Sequence, residues 1–305
     1  MVARRLKAKL EAATKPQSRG WEAVKNSFAQ FRRNRAAMAS SVVLLVMIVI
    51  AVFGPSLAPH DPVKIGAGPR LRPPSAKFLF GTDQFGRDVF SRVLYGTRLT
   101  LQASVIAVVV AAGFGIPLGL TAGYAGKLID NVISRFVDIL LSFPGILLAL
   151  VVVAILGTGL AKVQLAVGVS LIPAYARLVR GSVLSAKENL YVEAARAGGC
   201  GAFRIATRHI LPNIFVPLLV LSTTAIGWAI IIATSINFIG LGVQPPTPEW
   251  GADLGNARSY LGVAWWPGTF PGLAILATIL SINLIGDGLQ NALDPRLKSK
   301  GVSER

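Results

Sequence analysis

The chain has 305 residues, of which 53% are hydrophobic and 15% charged, where a soluble domain carries about a quarter charged residues. A soluble fold of this composition would have to bury nearly the whole chain, and several apolar runs approach or exceed the roughly 20 residues that cross a bilayer as a helix. The net charge of +17, in a protein of mean hydropathy +0.59, points to basic cytoplasmic loops beside anionic lipid rather than to nucleic acid.

Residues 1–35 hold ten Lys or Arg and two acids, Glu11 and Glu22. The apolar run 36–58 follows at once. It is of spanning length and ends around Gly54-Pro55 rather than at a small-residue cleavage site, so an uncleaved first helix is expected, with its N-terminal side in the cytoplasm. Trp21, Val24, Phe28 and Phe31 recur at helical spacing among basic residues. Either a helix lying on the membrane surface or a solvated basic tail fits that pattern.

Residues 59–98 are polar and rich in Pro, Gly and Arg, and read as an external loop. Five further spans are expected at roughly 99–123, 134–157, 163–180, 212–236 and 269–290. The predicted membrane core is thus 99–290, with a cytoplasmic loop at 181–211 and a cytoplasmic tail at 291–305. The span 163–180 is interrupted by Pro173, Arg177 and Arg180, which suits a helix whose polar side faces protein. The segments placed inside hold 22 Lys or Arg and those placed outside hold nine, which puts both termini in the cytoplasm. Seven of the nine lie in 59–98 and run against that rule. Gly115, Gly119 and Gly123 recur at four-residue spacing in the second span, a signal for close helix packing in lipid.

No phosphate-binding loop is present. The nearest string, Gly126-Lys127, is followed by Leu128 and has Thr121 where the first glycine belongs. No nucleophile elbow appears either. Cys200 is the sole cysteine, and His60 and His209 are the only histidines. Neither an internal disulfide nor a Cys- or His-rich metal centre is therefore expected, and no metal or cofactor is assigned to this chain. Asp138 and Asp287 lie near the inner ends of spans. They are ion-site candidates in principle, but interfacial pairing, with Arg135 beside Asp138, is the simpler expectation.

The segment 181–212 is different in kind. Lys187 to Ala197 has helical composition, with Leu190, Ala194 and Ala197 at helical spacing. Gly198, Gly199 and Gly201 break it. Ala202 to Ile210 reads as a second short helix, and Pro212 stands where a new helix would begin. Two short helices at an angle make a compact knob, with alanines for close approach and Arg196, Arg204 and Arg208 for lipid headgroups or a partner's acids.

This segment resembles the EAA motif of ABC importer permeases. The resemblance is carried by Glu193-Ala194-Ala195, by Gly199 at its offset, and by His209-Ile210-Leu211-Pro212-Asn213. The strings Gly81 to Leu101, Phe238 to Leu254, Phe31 to Ser40 and the region ending at Leu297 are similar to C-type subunits of dipeptide and oligopeptide permeases. Gly198 and Cys200 depart mildly from the usual residues around the motif glycine.

The resemblance implies an all-α membrane protein of six spans, with type I importer architecture and a cytoplasmic coupling helix. It implies a homologous B-type permease partner, two cytoplasmic ATPases that carry the ATP and Mg, and an extracytoplasmic binding protein, all in the bacterial inner membrane. Glu193 would cap or pair with a partner's basic group, Ala194 and Ala195 would fit its groove, and Gly199 would supply the turn. His209, Leu211 and Pro212 complete the docking set. Solutes taken by this class include dipeptides, oligopeptides, glutathione, nickel chelates, sugars and opines. The competing reading is an ion-gradient-driven transporter or channel acting alone, with Asp138 and Asp287 as ion sites; a membrane enzyme ranks third, for want of a nucleophile–base pair.

Overall fold

The computed structural model describes residues 29–293. The amphipathic pattern before residue 29 and the tail after 293 lie outside them. Nine helices are named here: α1 Arg35–Leu57, α2 Val89–Tyr124, α3 Lys127–Leu141, α4 Gly145–Leu156, α5 Leu160–Ala186, α6 Leu190–Ala197, α7 Ala202–Phe238, α8 Trp250–Ala257 and α9 Trp266–Leu293. The only β pairing among the described residues is one isolated bridge, Thr82 with Asp88.

Side-chain caps set where helices start. The Asn34 side chain accepts from Ala37 N (3.1 Å) at the start of α1. The Asp88 carboxylate accepts from Ser91 N (3.1 Å) at the start of α2. That second cap moves the helix start ten residues ahead of the expected 99, so Arg92 and Arg98 belong to a helix rather than to a loop. α1 shows Val42, Leu45, Val46, Val49, Val52 and Phe53 to its surroundings, as a lipid-facing helix does.

The centre of the bundle is the contact between α2 and α5. A Cβ on Gly115 would stand 2.4 Å from Tyr175 Cβ, one on Gly119 2.6 Å from Ala176 O, and one on Gly123 2.7 Å from Val183 Cβ. Gly168 of α5 returns the favour, with Val110 Cβ at 2.7 Å. The glycine spacing thus does what it predicts: two backbones approach until only hydrogen fits between them. The partners also rise together along both helices, so α2 and α5 run parallel.

Parallel neighbours need a crossing between them. That crossing is α3 with α4, bent by 93° at Ser142–Pro144, where a single straight span was expected. Pro144 lacks an N–H and disfavours helix in the residue before it, which ends α3. The 15 and 12 residues of the two pieces, set at a right angle, reach about 29 Å end to end, close to the hydrocarbon thickness. The chain therefore crosses six times: α1, α2, α3–α4, α5, α7 and α9.

Two ends of the bundle follow. At the near end α1 starts beside the end of α9, where a Cβ on Gly288 would meet Ala37 Cβ at 2.6 Å. The α6 segment lies at this end too. At the far end Gly54 closes on Leu94 O, and α8 wedges between α2 and α7, with Gly96 against the Trp250 indole and Gly251 against Thr234.

Candidate functional site

The near-end knob is built outward from α5. This helix continues to Ala186, six residues past the expected end of the span. Asn189 then closes it, donating through Nδ2 to Ser185 O and Ala186 O, both at 3.1 Å. Lys187 Nζ donates to Gly123 O (2.8 Å) and ties this corner to the end of α2. α6 follows with Glu193 in its first turn and Arg196 in its last, the arrangement the helix dipole favours.

α6 is anchored by Val192, which is fully buried, and by Ala195, which packs on the core of the bundle. The stripe Leu190, Ala194, Ala197 is the outward face instead. Ala195 is partly buried against the chain's own core, whereas Ala194 is exposed. Glu193 and Ala194 are exposed.

The end of α6 shows why Gly199 stands where it does. Gly199 N donates to Arg196 O (3.0 Å) and Cys200 N to Ala195 O (3.1 Å). This pair of bonds is a Schellman closure, which puts the residue after the cap in the left-handed region. Gly199 has φ +79°, and a Cβ there would meet nothing within 4 Å. The demand is on the backbone, not on space. Cys200 and Ala195 both lie against the core, the apolar contact that accompanies such a closure.

The second helix of the knob is not separate. From Ala202 the chain winds without a break into the fifth crossing, through wide π turns at Ile205–Ile210 and a tight 3₁₀ turn at Leu211–Ile214. Pro212 and Pro217 each lack an N–H and press on the carbonyl four residues back, so the winding changes pitch instead of stopping. His209 is half-buried, Leu211 packs on the core, and Pro212 is exposed. His209, Leu211 and Pro212 are thus the root of the knob, and Glu193 and Ala194 its tip. Two apolar side chains flank the tip, Leu190 at 81% and Phe203 at 82% exposed. No sequence pattern marked Phe203; an apolar residue amid glycines and arginines was the available signal.

Asp138 does not pair with Arg135. Arg177 Nη2 donates to Asp138 Oδ1 (2.6 Å), and Arg180 pairs with Asp130 through both carboxylate oxygens. The arginines that seemed to interrupt a span hold α5 to α3. Asp287 is exposed near the end of α9, beside Gly288.

At the far end two of the seven basic residues of 59–98 find a use. Arg87 pairs with Asp83 (2.5 Å), and both are buried. Arg92 donates to Asp253 (Nε–Oδ1 3.0 Å), to Pro62 O (2.9 Å) and to Pro246 O (3.1 Å). Glu249 caps α8 by accepting from Ala252 N (2.9 Å) and bonds Thr100 of α2 (3.2 Å). Burial pushes its carboxyl up to about 7, against the backbone and Thr100 hydrogen bonds that favour the charged form. No cluster of metal-ligating side chains occurs among the described residues.

Comparison with known proteins bears on both ends. Residues 115–299 match the model of the binding-protein-dependent transport system inner membrane component, and residues 24–74 that of the N-terminal TM domain of oligopeptide transport permease C. The dipeptide transport system permease protein DppC of Alkalihalophilus pseudofirmus is 44% identical over 275 residues, 90% of each chain. The glutathione transport system permease protein GsiD of Pectobacterium atrosepticum is 46% identical over 271 residues, 88% of this chain and 90% of its own. An inward-facing structure of the MetNI methionine ABC transporter superposes with a TM-score of 0.56 at 20% identity, covering 67% of this chain and 96% of that one. That likeness is one of fold.

Proposed function

Since the chain belongs to the family of binding-protein-dependent transport system inner membrane components, we propose that it is the C-type permease subunit of an ATP-driven importer of short peptides. The observation that carries the reading is the knob at the near end. It is rigidly rooted by Val192, Lys187 and Asn189, yet it presents Leu190, Glu193, Ala194 and Phe203 to no partner within the described residues. A lone transporter has no need of such a projection. Peptide as solute is supported by the names of the relatives, a dipeptide permease and a glutathione permease.

The near end faces the cytoplasm in this reading, because the basic segments gather there. A cytoplasmic ATPase takes the knob of this subunit and a second ATPase takes that of a homologous B-type permease. A binding protein delivers solute at the far end. When ATP draws the two ATPases together, α6 moves, and its ties to α5 and α2 carry the movement into the bundle. The chain is then a two-state element biased by its partners.

The experiment is reconstitution with the B-type permease, the ATPases and the binding protein, followed by uptake of a radiolabelled dipeptide. Uptake should require ATP and the binding protein. Uptake by the purified chain alone on an ion gradient, or failure of the ATPases to co-purify, overturns the reading.

A further inference from the structure

The ion pair Arg177–Asp138 is half-open: each side chain is 58% exposed. It is also deep. Tyr175 and Val179 of the same helix lie against Gly115 and Gly119, so the pair stands about 8 Å inside the level at which α2 ends. A charge turned to acyl chains is costly, and ionisable side chains in spans face protein or water.

Arg177 opens onto a groove. It measures about 660 Å³ and runs past Gly181 and Ser185 to Asn213, with Leu178, Tyr191 and Ile214 also in its walls. The opposite face of α3 carries Leu128, Val132, Phe136 and Ile139, all more than half exposed. α3 therefore has an apolar side and a charged side, and the ion pair marks the second. The neighbouring pair, Asp130–Arg180, is less exposed, at 18% and 36%, and bonds Ser134 as well. It suffices to hold α3 against α5 when the outer pair opens.

We infer that Arg177 and Asp138 line the water-filled solute route, and that they form a contact point for solutes bearing both a carboxylate and an ammonium group. This rests on the importer reading and deepens it. The guanidinium fork matches a carboxylate in two bonds, and the aspartate accepts from an ammonium. A zwitterionic peptide offers both. Exchanging the internal pair for two pairs with the solute leaves no charge bare in the exchange. The exchange is close to balanced, so the solute is held weakly enough to leave, as conduction requires.

The test uses the assembled transporter with Cys200→Ala, which keeps the apolar contact, as background. Gly181→Cys, in the groove, should react with a membrane-impermeant maleimide. Phe136→Cys, on the apolar side of α3, should not. Saturating dipeptide with binding protein and ATP should slow the reaction at Gly181→Cys. Asp138→Asn and Arg177→Gln should each lower dipeptide uptake about tenfold, the loss of one charge-assisted contact, while the ATPases still co-purify. Equal labelling of both cysteines, no labelling of Gly181→Cys, no protection by dipeptide, or uptake within twofold of the unmodified complex overturns the inference. If the unmodified complex imports no peptide at all, it is the importer reading that fails.

Discussion

Arg92 on α2 and Asp253 on α8 are 161 residues apart in sequence and form an ion pair buried to more than nine-tenths at the far end. Burial pushes the Asp253 carboxyl up, and the Arg92 guanidinium opposes it. Removing either partner strands the other charge, at a cost of about 3–5 kcal/mol. Asp253→Ala should therefore lower the unfolding temperature of the detergent-purified protein strongly. The double variant Arg92→Met/Asp253→Leu should recover much of the loss. A double variant as unstable as the single would show that the pair contributes more than charge compensation.

Glu249 makes stability depend on pH. Its folded-state carboxyl is raised from 4.5 to about 7, so the folded protein keeps a proton that the unfolded chain releases. This contribution is fully present below about pH 4.5, falls as pH rises through 7, and is absent above it, a swing of order a few kcal/mol. Thermal unfolding between pH 5 and 8 should show the decline, and Glu249→Gln should flatten it. An unchanged slope in Glu249→Gln would assign the effect to another group.

At Gly199 the backbone sits at φ +79° with open space around the missing Cβ. Substitutions should therefore rank by their tolerance of left-handed backbone rather than by size. Gly199→Asn should cost a few tenths of a kcal/mol, and Gly199→Val about 1–2 kcal/mol. Gly199→Asp should fold nearly as well as Gly199→Asn, and any loss of ATPase co-purification beyond the asparagine variant then reports its charge. Membrane insertion should survive in all three.

The α2–α5 contact offers an internal control. A Cβ on Gly119 would stand 2.6 Å from Ala176 O and Val179 Cβ, whereas one on Gly113 of the same helix meets nothing within 4 Å. Gly119→Ala should destabilise by about 1–3 kcal/mol through overpacking. Gly113→Ala should be neutral or slightly stabilising. Equal effects would mean that the helices are further apart than described.

Much of this protein is legible in its sequence. Apolar runs and their basic flanks locate the six crossings, and the spacing of Gly115, Gly119 and Gly123 announces a close helix contact. Gly199 marks the turn that ends a helix, because left-handed backbone is a local demand that one or two residue types satisfy. What the sequence left open has one physical source: it depends on which helices meet. Asp138 has Arg135 as its nearer cation in sequence but pairs with Arg177, because the parallel packing of α2 and α5 brings α5 beside α3. Leu190, Ala194 and Ala197 form a regular stripe, yet Val192 is the anchor, because the core lies on that side. Of the seven basic residues of 59–98 that run against the charge rule, two, Arg87 and Arg92, are neutralised by Asp83 and Asp253. Hydropathy and turn chemistry act within a few residues and can be read along the chain. The pairing of charges acts through space, and only the tertiary structure decides it.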